Sequence, residues 1–140
     1  MIILDTNVLS ALMQFAPDEV VADWLDRQPA LSIWTTAITI LELRIGIAML
    51  APGRRQTQLE AAFSGLLAER LTGRVLPFDA ASADVTADLV VQRERTGMIV
   101  GERDTLIAGI TLSRRAVIAT RNVKDFRDLE PRVVNPWDPR

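Results

Sequence analysis

The chain contains no cysteine and no histidine. The first absence rules out disulfides, thiol nucleophiles and thiolate metal sites. The second rules out Ser-His-Asp and Cys-His catalysis, together with nitrogen-rich zinc centres. Lysine is scarce too: of sixteen basic residues, fifteen are arginines and the other is Lys124. Long apolar runs are missing. Residues 37–50 come closest, but Glu42 and Arg44 interrupt them, short of the roughly 18 residues a membrane span needs. No basic leader with an apolar stretch behind it is visible, since residues 1–4 run straight into an acidic turn. The expected location is therefore cytoplasmic, with no membrane partner. Neither a GxGxxG nor a GxxxxGKS/T loop occurs, which removes the usual glycine cradles for phosphate.

What is present suffices for one core. The 140 residues are 49% hydrophobic, and no repeat, low-complexity tract or linker divides them, so residues 1–140 read as a single domain. A net charge of −2 lacks the basic surface expected of a nucleic-acid binder. Arginine suits bidentate phosphate contact, yet a GC-rich genome gives the same bias, so charge decides nothing. Five arginines (Arg44, Arg54, Arg55, Arg103 and Arg121) are candidates for phosphate contact.

Hydrophobic patterning predicts strands at 1–4, 31–34, 74–78, 116–120 and 132–135. Between them it predicts helices at 8–13, from Pro17 onward, and at 37–50, 56–71, 80–96 and 105–115, with Pro52-Gly53, Gly73 and Gly97 as breaks. Alternating strands and helices imply an α/β domain of three layers around a mostly parallel sheet. Trp24 and Trp34 are expected in the core.

In such a sheet a ligand lies beyond the carboxyl ends of the strands. Asp5 follows the first strand, where it is equally suited to capping a helix through an Asx-turn. Glu42 has Ile38, Thr39, Ile45, Gly46 and Met49 around it on its helix face, while Arg44 points elsewhere. An ionised carboxylate there costs several kcal/mol unless a metal ion or an arginine from another element compensates it. Asp104 is placed to cap the helix 105–115, and Asp125 to lie in the loop after the strand 116–120. Carboxylates converging without nitrogen or sulfur make a hard, all-oxygen site that selects Mg²⁺ or Mn²⁺. Phosphodiester hydrolysis is the chemistry such a site serves.

Four segments resemble the motifs of PIN-domain nucleases, in the family's order. They are Ile3-Leu4-Asp5-Thr6-Asn7-Val8-Leu9, Thr39-Ile40-Leu41-Glu42-Leu43-Arg44-Ile45-Gly46, Asp104-Thr105-Leu106-Ile107-Ala108, and Ala119-Thr120-Arg121-Asn122-Val123-Lys124-Asp125-Phe126. The ending Val134-Asn135-Pro136-Trp137 is similar to that of one subgroup, and the whole is nearest to VapC-like and FitB-like toxins of toxin–antitoxin pairs. The resemblance implies a three-layer α/β/α PIN-like fold and a Mg²⁺- or Mn²⁺-dependent endoribonuclease acting on RNA. It further implies a cognate antitoxin that holds the enzyme inactive, and a homodimer or a hetero-oligomer with that antitoxin. Carried over by position, Asp5, Glu42 and Asp104 are metal ligands, with Thr6, Asn7 and Thr120 supporting them by hydrogen bonds. Asp125 is the fourth acid, and Asn122 stands as a neutral contributor where some FitB-like relatives carry an acidic residue. Helices 17–27 and 56–71 offer apolar faces to a partner helix, or to the core.

Other readings fit less well. A haloacid-dehalogenase-like phosphatase wants an aspartate where Asn7 stands, and a receiver domain would have only Lys124 as its lysine. The remaining alternative is a PIN-fold module that binds RNA or protein without cutting.

Overall fold

In the computed structural model, which describes residues 1–138, the opening apolar run becomes the middle of a sheet. Its five strands are β1 (Ile2–Leu4), β2 (Ile33–Thr36), β3 (Val75–Leu76), β4 (Val117–Ala119) and β5 (Val133–Val134). All pairings are parallel, in the order β3-β2-β1-β4-β5. The connecting helices are α1 (Thr6–Met13), α2 (Glu19–Asp26), α3 (Ala37–Ala48), α4 (Arg54–Arg70), α5 (Ala80–Arg95) and α6 (Glu102–Ser113), with 3-10 segments at Ala30–Ser32 and Val123–Leu129. None is long and apolar enough to cross a membrane.

Adjacent strand residues face opposite layers. Leu4 and Ala119 join a core with Val8, Leu9, Val21, Leu43 and Phe63, while Ile3 and Ile118 join another with Leu89, Ile107, Ile110 and Phe126. Both faces of the sheet are thus covered, which is why every strand except β2 reads as an unbroken apolar run. The expected three-layer α/β architecture is the one observed.

Side-chain caps set the helix starts. Asp5 accepts from the amide of Thr6, Asp18 from those of Val20 and Val21, Thr36 from Thr39, and Asp79 from Ser82. Gly97 adopts φ +72° just past α5, the left-handed stop its lack of a side chain permits.

Several boundaries differ from the sequence reading. β2 lies two residues later than expected, because Leu31 and Ser32 are taken into a 3-10 turn and the strand ends in the polar pair Thr35-Thr36. Those threonines tolerate full burial because Thr35 donates to the Leu4 carbonyl at 3.0 Å and Thr36 caps α3. α1 begins at Thr6 rather than Val8, directly on its cap. α6 begins at Glu102 with Gly101 as a cap that has no side chain, so Asp104 lies inside the first turn and does not cap the helix. Asp125 belongs to the 3-10 segment rather than to an open loop. Of the two helix faces considered for a partner, Val21 and Leu25 of α2 and Phe63 of α4 are buried in the core. Phe15, just past α1, stays 90% exposed.

α5 and α6 pack against each other through a glycine. A methyl group at Gly109 would lie 1.7 Å from the Thr86 hydroxyl, itself a buried group with no hydrogen-bond partner among the described residues. Gly109→Ala should therefore cost about 1–3 kcal/mol in urea denaturation. Thr86→Ala should recover part of that loss in the double variant; equal costs with and without Thr86→Ala would show that the helices separate freely.

Candidate active site

The strand order reverses direction between β1 and β4, since β2 and β3 extend to one side and β5 to the other. At such a switch point the loops diverge and leave a crevice beyond the strand ends. Asp5 ends β1 there, its amide bonded to the Ala119 carbonyl of β4 at 3.0 Å. Thr120 follows β4 next door, completely buried.

Around Asp5 the polar side chains form one connected line. Its Oδ1 accepts from the Thr6 amide at 2.8 Å, and its Oδ2 from the Thr120 hydroxyl at 2.8 Å and more loosely from Asn7 Nδ2 at 3.4 Å. Asn7 Nδ2 also donates to Thr120 Oγ1 at 3.2 Å, and its Oδ1 accepts from the Arg121 amide at 3.1 Å. On one side the line continues through the Thr6 hydroxyl, which donates to Glu42 Oε1 at 2.9 Å. On the other it runs through Asn122, whose amide donates to Thr120 Oγ1 at 3.0 Å. Asn122 Nδ2 then bridges two acids, at 2.6 Å from Asp125 Oδ2 and 3.4 Å from Asp104 Oδ2. The structure therefore brings Asp5, Thr6, Asn7, Glu42, Asp104, Thr120, Asn122 and Asp125 into one line, whereas of the five candidate arginines only Arg121 touches it, through its amide.

Asn122 and Asp125 are hydrogen-bonded to each other. Asn122 is neutral and donates to both neighbouring carboxylates, holding two like charges that would otherwise repel. Among the described residues Glu42 has a hydroxyl for its partner and no arginine: the Arg44 guanidinium lies 5.0 Å over the Phe63 ring instead.

Burial dominates the electrostatics. Asp5 is 2% exposed, and this pushes its carboxyl up to about 6 despite hydrogen bonds from Thr120 and Thr6 that favour the charge; Asp104 and Glu42 add to the rise. Asp104 is raised as well, first by burial, then by the charges of Glu42 and Asp125, with Arg93 opposing. Among the described residues no group of three or more acidic side chains is arranged to hold a metal ion as it stands. The donor chemistry is nonetheless that of a hard cation site: oxygen only, with several carboxylates raising one another's affinity for positive charge.

Two features lay outside the sequence reading. Arg93 of α5 is 3% exposed and paired with Asp128, Nε to Oδ2 at 2.8 Å and Nη2 to Oδ1 at 2.9 Å. It was hidden in the polar run Gln92-Arg93-Glu94-Arg95, although Ser82, Thr86, Leu89 and Arg93 mark out the buried face of α5 at helical spacing. The second is a pin near the end of the chain. Trp137 donates its indole N–H to Asp18 at 2.9 Å, which holds the Asp18 carboxyl below the usual range, and the Arg121 guanidinium lies 4.1 Å over the Trp137 ring. Trp24, Trp34 and Trp137 all pack half-buried against the core.

Comparison with known proteins identifies the family and the fold. A family model described as PIN domain matches residues 2–130. A VapC ribonuclease of Sinorhizobium fredii, Y4jK, is 37% identical over 139 residues, 99% of each chain. The toxin FitB of Neisseria gonorrhoeae is 33% identical, over 98% of this chain and 99% of FitB. A solved structure of FitAB bound to an IR36 DNA fragment superposes with a TM-score of 0.89 at 31% identity, covering 100% of this chain and 98% of that one.

The raised Asp5 has a pH signature. The folded state keeps its proton to higher pH than the unfolded chain, so stability falls as pH rises from about 4 to 6, by about 3 kcal/mol in all. Asp5→Asn lacks this loss. In buffer free of divalent cations its stability relative to the native protein should climb over that window and level off above it, as read by chemical denaturation at several pH values. A difference that does not change with pH would overturn the assignment.

Proposed function

The chain belongs to the PIN-domain family, and we propose that it is a metal-dependent endoribonuclease, the toxin of a toxin–antitoxin pair. One observation carries the reading: a line of hydrogen bonds through Thr6, Thr120 and Asn122 links Asp5, Glu42, Asp104 and Asp125 at the switch point of the sheet. Its relatives' names support the same conclusion, one a VapC ribonuclease and one a toxin, as does the likeness to FitAB. We read residues 1–140 as one nuclease domain, working in the cytoplasm as a homodimer or in a hetero-oligomer with a cognate antitoxin.

Asp5, Glu42 and Asp104 would hold a Mg²⁺ or Mn²⁺ ion, with Asp125 as a fourth acid. When bound, such an ion activates a water molecule and offsets the charge that develops on the phosphate. The protein's own contribution is orientation. Thr120 and the Thr6 amide fix both oxygens of Asp5 from opposite sides, the Thr6 hydroxyl sets Glu42, and Asn122 keeps Asp104 and Asp125 apart. Ionised together, these acids repel an RNA backbone, so cations must meet the phosphate. Arg121 is placed for this: it is exposed, its amide is bonded to Asn7, and its guanidinium is braced on Trp137.

Purified protein, freed of any partner, should cut RNA with Mg²⁺ or Mn²⁺ and stop on chelation. Asp5→Asn should lose activity on the order of a hundredfold or more while remaining folded. Thr120→Val, which removes only a hydroxyl, should lose roughly 10–100-fold. If the native protein cuts no RNA with either ion, the alternative of a non-catalytic binding module takes over.

A further inference from the structure

We infer that Arg93 is a positioning residue of this nuclease, a buried guanidinium that locks the segment bearing Asp125 to the helix turn bearing Asp104. The inference deepens the ribonuclease reading and rests on it. Arg93 reaches out of α5 and bonds to two other elements at once. Its Nη1 donates to Thr105 Oγ1 at 3.1 Å, next in sequence to Asp104 at the start of α6. Its Nη2 donates to the backbone carbonyl of Asp125 at 3.0 Å, and the Nε–Nη2 edge grips the Asp128 carboxylate with two bonds. Thr105 in turn donates to the Gly101 carbonyl at 3.0 Å, so the grip extends to the cap of α6.

Four bonds from one rigid, planar group fix the spacing and angle of what they join. Here they join the backbone of Asp125 to the side chain beside Asp104. The Asn122 bridge between those two acids, at 2.6 and 3.4 Å, spans the same gap. A surface pair would add little of this kind. Arg93 is 3% exposed, and its partner Asp128 keeps 26% of its side chain exposed, so the guanidinium is enclosed while the carboxylate stays partly hydrated. Arginine is required on geometry: lysine offers a point charge that cannot satisfy Asp128, Thr105 and the Asp125 carbonyl together.

Two variants test the clamp. Arg93→Lys keeps the charge and loses the fork, while Asp128→Asn leaves Arg93 its bonds to Thr105 and Asp125 and is the milder change. Both should remain folded by circular dichroism. Amide hydrogen exchange without metal should quicken about tenfold or more in residues 122–129 and stay unchanged in β1 and α1. RNA cleavage should lose roughly 10–100-fold in kcat with little change in KM, and Mn²⁺ affinity measured by calorimetry should fall by a similar factor. Unchanged exchange in residues 122–129 overturns the clamp. Faster exchange with native kcat and native Mn²⁺ affinity overturns the positioning role and leaves a structural one. If the native protein cuts no RNA, the ribonuclease reading falls, while exchange and Mn²⁺ affinity still decide the clamp. A native protein that also binds no Mn²⁺ overturns the positioning role together with the ribonuclease reading.

Discussion

The Asp5 carboxylate carries its charge against the burial around it and against the neighbouring Asp104 and Glu42, and the Thr6 amide and Thr120 hydroxyl are aimed to favour that charge. A carboxylate 2% exposed survives ionised only where donors aim at it, and Asp5 has the first amide of α1 on one oxygen and a buried hydroxyl on the other. The amide comes with the chain turning from strand to helix. The hydroxyl exists only because β4 lies beside β1 and ends one residue before Thr120. Strand order and site chemistry are in this sense one arrangement.

Neutral groups do the spacing in this site and charged ones do it outside. Threonine and asparagine side chains stand between the four acids, so the cluster is held without being neutralised. The buried cation nearby, Arg93, is directed at a carbonyl, a hydroxyl and Asp128, which leaves the acids facing the crevice short of positive charge. An arginine directly on Glu42 would have given a stable pair and removed the affinity for a divalent ion. The Thr6 hydroxyl holds the same carboxylate in place and leaves its charge intact.

Much of this was legible beforehand. Asp5 is read from the strand that precedes it, and Glu42 from an acid at helical spacing from Ile38 and Ile45, although the buried face of α3 runs instead through Thr39, Leu43 and Ile47 and leaves Met49 exposed. Alternating elements give the layered sheet for the same reason: period and punctuation are local. What stayed hidden depends on contacts distant in sequence. The shift of β2 toward Thr35-Thr36 required knowing that Leu4 offers a carbonyl to Thr35. Asp104 looked like a helix cap because a glycine cap such as Gly101 leaves no side-chain signal. Arg93 looked like one charge in a polar helix end, since nothing near it in sequence foretells Asp128, and Trp137 gives no sign of Asp18.

The bond between Thr120 and Asp5 joins residues 115 apart, and this has a bearing on synthesis. A chain emerging from its N-terminus builds β1, β2 and β3 with their helices first, and one edge of β1 stays open until Val117–Ala119 arrives to pair with it. Asp104, Asn122 and Asp125 are late arrivals too. The acids therefore cannot come together on a partly made chain, and the growing polypeptide is inert toward whatever RNA surrounds it, including the message and transfer RNAs that are producing it. Such non-local closure slows folding, and it also leaves the unfinished chain without a complete site.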